Sequence, residues 1–107
     1  MKIVEYIDRH GRSPFADWFA GVEARAAAKV VVALSRMEGG NLSNVKSVGA
    51  GVLEYRIDFG PGYRIYFGRD GGNLILLLAG GTKKRQQRDI GDAHGRWLDY
   101  KQRKVEG

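Results

Sequence analysis

Residues 51–90 decide the fold of this chain and read GVLEYRIDFGPGYRIYFGRDGGNLILLLAGGTKKRQQRDI. Glycine-containing turns at 60–62 and 70–73 divide the stretch into three runs of strand length that are rich in aromatic and branched apolar residues. Such runs between turn residues are typical of consecutive strands joined by hairpins. The third run ends at Gly80-Gly81, and a burst of positive charge follows it. The stretch therefore predicts three strands and then a helix.

The alternation within these strands places two arginines on the face opposite to the apolar residues. Successive side chains of a strand point to opposite faces, so Ile57 lies on the apolar face and Arg56 on the polar one. Beyond the first turn, Arg64 has the same polar phase. A tight turn centred on Pro61 predicts that Ile57 lies opposite Ile65. Arg56 and Arg64 are then diagonal neighbours, within reach of one phosphate group.

Positive charge gathers again where the last helix is expected to begin. Thr82 is the predicted cap of this helix, and Lys83, Lys84, Arg85 and Arg88 form the densest group of cations in the chain. Cations are unfavourable at a helix N-terminus, because it already carries a partial positive charge. A phosphate bound by free backbone N–H groups and lysines relieves that repulsion.

Both cationic features admit a second interpretation, which stays open. Exposed charges usually do no more than keep a surface solvated. In that case, Asp58 pairs with Arg64 across the hairpin, and the basic helix start faces water.

The second hairpin raises a separate question about the polar face. With a tight turn at 70–73, Ile75 and Leu77 share the face of Arg64. We therefore expect this end of the sheet to be covered, either by the last helix or by a partner.

Composition restricts the class of protein. The chain has 107 residues, of which 43% are hydrophobic and 28% charged, and this is typical of one soluble globular domain spanning 1–107. Its net charge of +6 favours polyanionic partners such as nucleic acid, the ribosome or an acidic protein. No apolar run reaches the roughly 18 residues of a membrane span, so no membrane contact is expected. The absence of cysteine excludes disulfides and agrees with a reducing cytoplasm.

The first half of the chain predicts one strand and two helices. Lys2–Ile7 alternates as a strand does, and Ser13 with Pro14 is a helix-start signal. A longer helix is predicted over Val22–Glu38, where apolar residues recur at helical spacing. Residues 39–51 are interpreted as a connection that contains Lys46.

The predicted order is therefore β-α-α-β-β-β-α, with the last helix running from Thr82 to about Lys104. This order predicts an α+β fold: a mostly antiparallel four-stranded sheet with the helices packed on its apolar face.

Several familiar sites are excluded by spacing. The run from Gly80 to Lys83 lacks the Walker spacing of a nucleotide-binding loop. Gly49-Ala50-Gly51 precedes a strand rather than a helix, so it is not a dinucleotide-binding loop. The only histidines, His10 and His94, are too few for a multi-histidine metal site. No cofactor and no metal are therefore expected.

Two motifs in the chain are specific, namely GPGYRIYF at 60–67 and GG-x-K-x-x-Q-x-x-D-I at 80–90. With them, the chain resembles the RelE/ParE superfamily of bacterial toxin–antitoxin toxins, and most closely the HigB-like "addiction module killer protein" branch. The resemblance keeps order and spacing over roughly residues 14–98. One departure is Thr82, where the branch usually has aspartate. Shorter matches are Pro14-Phe15, Trp18, Gly40-Asn41, Val45-Lys46, Val48-Gly49, Gly51-Val52, Glu54, Arg56-Ile57 and Leu76–Leu78.

The resemblance implies a microbial-RNase-like fold and the activity of a ribosome-dependent mRNA interferase. Such an endoribonuclease enters the ribosomal A site and cuts the message when a ribose 2′-OH attacks the adjacent phosphate. The reaction needs a base, stabilisation of the phosphorane charge and an acid for the leaving oxygen. In this chain, Arg64 is expected to stabilise the phosphorane, Arg56 to orient the phosphate and Lys46 to transfer protons. The expected contacts to the RNA backbone are Lys83, Lys84, Arg85 and Arg88.

The resemblance also implies partners. They are a cognate antitoxin from the adjacent gene, the ribosome and its mRNA, all in the bacterial cytoplasm. Two alternatives on the same fold stay open: a ParE-like DNA gyrase inhibitor, which binds without catalysis, and an inactive antitoxin-binding component.

Overall fold

Five strands and three helices make up residues 1–106, the part of the chain that the computed structural model describes. The α+β class and the order of the predicted elements are confirmed, and one short strand is added to them. In chain order, the elements are β1 (Lys2–Glu5), α1 (Pro14–Ala20), α2 (Ala24–Glu38), β2 (Val45–Ser47), β3 (Leu53–Ile57), β4 (Tyr63–Asp70), β5 (Leu74–Thr82), a 3-10 turn (Lys83–Arg85) and α3 (Gln86–Glu106).

All the strands form one sheet in the order β1-β5-β4-β3-β2. β1 runs parallel to β5, and the other neighbours are antiparallel, so a mostly antiparallel sheet is confirmed. The added strand, β2, lies at the edge beside β3, in the segment that was predicted to be a connection. Three residues are too short to show the two-residue period of a strand, so β2 leaves no signal in the sequence.

The helices cover both faces of the sheet, which corrects the expectation that they share one face. α1 and α2 cover one face, and α3 covers the other. The physical reason lies in β5, which is apolar on both sides and is buried on both, as central strands between helix layers are. One core contains Phe15, Val30, Ala33, Met37, Tyr55, Ile57, Ile65, Phe67, Ile75 and Leu77, and the other contains Tyr6, Val52, Tyr66, Leu76, Leu78, Ala79, Ala93 and Trp97.

The placement of Ile75 and Leu77 on the face of Arg64 was wrong. Both residues belong to the core beneath α1 and α2. The cause is the length of the hairpin loop: Asp70 pairs with Leu74, so the loop holds three residues instead of two. One extra loop residue moves every side chain of the following strand to the opposite face.

The pairing of β3 with β4 is shifted by two residues from the expected one. Arg56 lies directly opposite Arg64, and Ile57 lies opposite Tyr63 instead of Ile65. The connection is longer than expected, because the last pair of the ladder is Ile57 with Tyr63, so residues 58–62 form the loop. Within this loop, the backbone N–H of Gly62 donates to the carbonyl of Phe59 at 2.9 Å. A shift by two keeps every side chain on its expected face, so both arginines remain on the polar face.

The helix starts are set by local capping contacts. Ser13 caps α1, as predicted, and its hydroxyl accepts a hydrogen bond from Ala16 N–H at 3.0 Å. α2 begins at Ala24, two residues after the expected Val22, because the Glu23 carboxylate accepts hydrogen bonds from the first free N–H groups. Between residues 1 and 106, no helix is both long and apolar enough to cross a membrane.

The packing of α3 on the sheet depends on a glycine and on two polar contacts. A Cβ atom at Gly68 of β4 would overlap the indole of Trp97, so only glycine lets this ring approach the sheet. Tyr6 donates a hydrogen bond to Asp99 at 2.6 Å, which ties the segment after β1 to α3. Tyr100 donates another to Asp70 at 2.6 Å. These contacts hold the later turns of α3 on the sheet, and its first residue, Gln86, contacts Glu54 of β3.

Candidate functional site

An open groove of about 670 Å³ lies where the turn between β3 and β4 meets the loop before β2 and the 3-10 turn after β5. Its floor is the polar face of β3 and β4. Its walls come from segments far apart in sequence. The lining residues are Ser43, Asn44, Val45, Lys46, Arg56, Ile57, Asp58, Gly60, Pro61, Gly62, Tyr63, Arg64 and Lys83.

Four cations from four different segments line this groove. Lys46 comes from β2, Arg56 from β3, Arg64 from β4 and Lys83 from the 3-10 turn. The structure therefore brings together the three residues predicted for catalysis and one of those predicted for RNA contact. The addition of β2 to the sheet edge is what carries Lys46 to the other three, since Lys46 pairs with Glu54 of β3.

Arg56 and Arg64 are directly opposite each other on the neighbouring strands β3 and β4, but their environments differ. Arg64 is 5% exposed, whereas Arg56 is exposed. The Nε atom of Arg64 lies 3.7 Å from Glu54 Oε2, and its Nη1 donates a hydrogen bond to the Gly62 carbonyl at 3.4 Å. Directly opposed like charges repel. The protein offsets the charge of Arg64 with Glu54 and leaves Arg56 to solvent.

Glu54 is a candidate site residue that was not among those predicted from the sequence. Its side chain is fully buried beneath the groove. Gln86 donates a hydrogen bond from Nε2 to Glu54 Oε2 at 2.9 Å, and the Nζ atom of Lys46 lies 4.0 Å from Oε1. The available signal was its polar phase beside Arg56, although phase alone does not distinguish a buried carboxylate from an exposed one.

Tyr66 lies close to this carboxylate, and Asp89 lies close to Tyr66. Burial, followed by the negative charge of Glu54, raises the pKa of Tyr66 well above its ordinary value. Tyr66 therefore stays protonated at neutral pH. Burial is also the main cause that raises the pKa of Asp89, although Arg85 opposes the shift. The Asp89 carboxylate lies against Gly81, where a Cβ atom would overlap it.

The start of the last helix differs from the expectation. Thr82 occupies the cap position, but its side chain makes no capping hydrogen bond, and Lys83–Arg85 forms a 3-10 turn before α3 begins at Gln86. The backbone N–H of Lys83 donates to the Gly62 carbonyl at 3.0 Å. At least one N–H group of the expected anion site is thus already used.

The basic cluster at this helix start divides into two parts. The side chain of Lys83 lines the groove. The other three cations, Lys84, Arg85 and Arg88, are exposed and lie outside the lining. Only Lys83 therefore shares the groove with the sheet arginines, and the other three extend its positive field over the neighbouring surface.

The two histidines lie apart from the lining of the groove. The Nε2 atom of His94 lies 2.9 Å from the Val48 carbonyl, which agrees with a packing role. His10 is in an exposed turn. In the described part of the chain, no three His, Cys, Asp or Glu side chains group in a way that could hold a metal ion.

This arrangement suits a phosphodiester. Several cations gathered in one groove attract a polyanion and stabilise charge that develops on a phosphate. The buried Glu54 carboxylate lies 3.7 Å from Arg64 and 4.0 Å from Lys46, so it offsets part of their positive charge. A groove with an open side also admits a continuous chain, as a nucleic acid backbone requires.

Known proteins similar to this chain share its central part. The family model described as "Phage derived protein Gp49-like (DUF891)" matches residues 17–93. An uncharacterized protein of Haemophilus influenzae is 41% identical over 80 residues, which are 74% of this chain and 81% of the relative. The family match contains every residue described in and beneath the groove, from Ser43 to Asp89.

Proposed function

From the premise that this chain belongs to the Gp49-like phage-derived family, a toxin–antitoxin toxin family related to RelE-like toxins, we propose that it is an endoribonuclease toxin. In this proposal it is a HigB-like mRNA interferase that acts on ribosome-bound message. Its partners are the ribosome, mRNA and a cognate antitoxin, in the bacterial cytoplasm.

One observation carries the proposal: Lys46, Arg56, Arg64 and Lys83 reach a single groove from four separate segments. Such convergence has a cost, because like charges repel, and two of these cations are direct cross-strand neighbours. A phosphate group bound between them removes that repulsion. A binder that uses only an apolar surface has no need of this arrangement.

The proposed roles follow from burial. Arg64 is held in one orientation by Glu54 and Gly62, so it is suited to stabilise the phosphorane. Arg56 is exposed on the groove floor and orients the incoming phosphate. Lys46, at the groove edge, takes part in proton transfer. The RNA backbone on either side is held by Lys83, Lys84, Arg85 and Arg88.

The reaction forms a bond between the ribose O2′ and phosphorus and breaks the bond between phosphorus and the O5′ of the next nucleotide. One proton leaves O2′ and one proton is delivered to O5′, so no redox partner or cofactor enters the balance. The products are a 2′,3′-cyclic phosphate and a 5′-hydroxyl. Tyr66 does not serve as the acid, because it is fully buried and its pKa is raised.

The decisive experiment is to induce the protein in cells and to map RNA 5′-hydroxyl ends and DNA breaks in parallel. The proposal expects new 5′-hydroxyl ends within messages, in phase with codons, before growth stops. DNA breaks that depend on gyrase, without RNA cleavage, would establish a ParE-like inhibitor instead. If the cells grow and neither RNA cleavage nor DNA breaks appear, the protein is an inactive antitoxin-binding component.

A further inference from the structure

Glu54 is a buried carboxylate whose contacts are incomplete. It is 0% exposed and receives one hydrogen bond, from Gln86 at 2.9 Å. Within residues 1–106, its Oε1 atom has no hydrogen-bond partner, and neither has the buried Nε atom of Arg64. A buried charge is costly unless it is both paired and hydrogen-bonded. The buried charge of Glu54, directly beneath the groove, is therefore destabilising.

Stability alone does not account for Glu54. The distances from its carboxylate to Arg64 Nε and Lys46 Nζ are 3.7 and 4.0 Å, both longer than a hydrogen bond. Replacing a buried ion pair with apolar residues of similar volume is often neutral or stabilising. Its neighbours on the same face, Val52 and the cross-strand Tyr66, belong to the core beneath α3. The carboxylate therefore has a different task at this position.

Its place in the sheet indicates that task. Glu54 sits on β3, directly opposite Lys46 of β2 and diagonal to Arg64 of β4, so one carboxylate lies between two cations of the groove. Arg64 is contacted at two of its nitrogen atoms, Nε by Glu54 and Nη1 by the Gly62 carbonyl. Within residues 1–106, the third nitrogen, Nη2, makes no hydrogen bond, and Arg64 lines the groove.

We propose that Glu54 is a positioning residue, which holds the guanidinium of Arg64 and the ammonium of Lys46 in the orientation that a bound phosphate requires. The inference rests on the proposed function. Because Glu54 is completely buried, it does not touch RNA and is not the catalytic base. Its charge acts through the two cations.

This role has a consequence that a purely structural role lacks. Removal of the negative charge makes the groove more positive, so RNA binding is retained or tightened. Without the charge of Glu54, the guanidinium of Arg64 is no longer held in the reactive orientation. A misplacement of about 1 Å can lower the reaction rate roughly 100-fold. The effect therefore falls on kcat and not on KM.

The test uses Glu54→Gln, which keeps the shape of the side chain and an acceptor for Gln86. The matched control is Asp58→Asn, which removes the same charge from an exposed residue at the groove edge. The first readout is the NMR signal of the Arg64 Nε–H group in protein made by cell-free synthesis with labelled arginine. Arg64→Lys, which removes this signal, assigns it.

The expected result is a slowly exchanging Nε–H signal in the parent and in Asp58→Asn, because the ion pair with Glu54 keeps Nε buried. In Glu54→Gln the guanidinium is no longer held there, so the signal is expected to be lost to fast exchange with solvent. In RNA cleavage, Glu54→Gln is expected to lower kcat by roughly 10- to 100-fold while KM stays equal or falls. Retention of the Nε–H signal in folded Glu54→Gln, with unchanged kcat, would overturn the proposal.

Two further outcomes are also decisive. If Glu54→Gln does not fold, the parent alone is informative: an Arg64 Nε–H that exchanges as fast as those of exposed arginines contradicts the positioning role, and slow exchange supports it. If the parent cuts no RNA, the proposed function fails. The NMR comparison then still decides whether Glu54 holds Arg64.

Discussion

Arg56 and Arg64 lie directly opposite each other on β3 and β4, but only Arg64 contacts a carboxylate within residues 1–106. Arg64 is buried against Glu54, and Arg56 is exposed in the groove. The two residues share a chemical group, a sheet face and a groove. They differ in how firmly the protein holds them, and this difference leads to distinct expectations for their substitution.

Removal of the held arginine is expected to have the larger effect on activity. Arg64→Ala should relieve growth arrest, because the loss of one preorganised charge stabiliser costs on the order of 3–4 kcal/mol in the transition state. It should also lower the melting temperature, since Glu54 loses a buried partner. Growth after induction and thermal unfolding of the purified protein measure the two effects.

Arg56→Ala is the matched control for this prediction. It should reduce toxicity less than Arg64→Ala and leave the melting temperature unchanged, since Arg56 is exposed. A folded Arg64→Ala variant that arrests growth as fully as the parent would refute the assignment of Arg64 to the phosphorane.

The two lysines of the 3-10 turn are expected to differ in RNA binding. Lys83 lines the groove, whereas Lys84 lies beside it. Lys83→Ala should weaken binding and lower the slope of log affinity against log salt by about 1, the effect of one lost phosphate contact. Lys84→Ala should act in the same direction but less strongly. Filter binding of a single-stranded RNA over a salt series measures both slopes.

If a variant that carries both Lys83→Ala and Lys84→Ala keeps the slope of the parent, these two lysines are solvated charges and have no part in holding RNA. An equal effect of the two single variants would instead show that the RNA path runs outside the groove.

Gly68 is expected to be essential for stability although it carries no side chain. In Gly68→Ala, the new methyl group meets the indole of Trp97, so α3 must shift from the sheet. We expect a loss of about 1–3 kcal/mol in the free energy of unfolding, which is typical of overpacking. The control is Gly72→Ala, where the space around the new Cβ is open. Urea unfolding of both variants checks the difference, and equal midpoints would contradict this account of how α3 is seated.

The contact between Tyr6 and Asp99 predicts a pH dependence of stability. The pKa of Asp99 lies below its ordinary value of 3.8, mainly because Tyr6 donates a hydrogen bond to its carboxylate. Arg103 lowers this pKa further through its own contact with the carboxylate. A carboxyl group with a lowered pKa in the folded state stabilises the protein above its unfolded pKa. That contribution is lost as pH falls through the folded pKa.

Asp99→Asn should therefore lower the melting temperature at pH 7, and its difference from the parent should shrink as the pH falls below 3.8. Asp92→Asn is the control, since Asp92 is exposed on the same helix and makes no hydrogen bond or ion pair in the described residues. A difference between Asp99→Asn and the parent that stays constant from pH 7 to strongly acid solution would show that the charge of Asp99 does not contribute.

Much of the fold could be predicted from local patterns. Ser13 with Pro14 marked the start of α1, because a cap and its helix are adjacent in the chain. The alternation in β3 and β4 placed Arg56 and Arg64 on one face, since the two-residue period of a strand does not depend on its partner. The groove could be anticipated as a cationic surface for the same reason.

The predictions that were wrong concerned features that depend on loop length or on contacts between distant segments. The three-residue loop before Leu74 reversed the faces of β5, and the wider turn after Ile57 shifted the pairing of the arginines. The turn-forming residues predict a turn at each of these two places, but they do not determine how many residues the turn contains. β2 was too short to show any period, and its place at the edge of the sheet follows from its pairing with β3.

The amino-acid sequence by itself determined which residues of one strand share a face, where α1 begins and that a positive surface exists, because each of these follows from neighbours within a few positions. Only the tertiary structure decided that α3 covers the polar face and that Glu54 is buried between Lys46 and Arg64. Burial and charge pairing depend on which distant segments meet. The same carboxylate on an uncovered strand would be an ordinary solvated side chain.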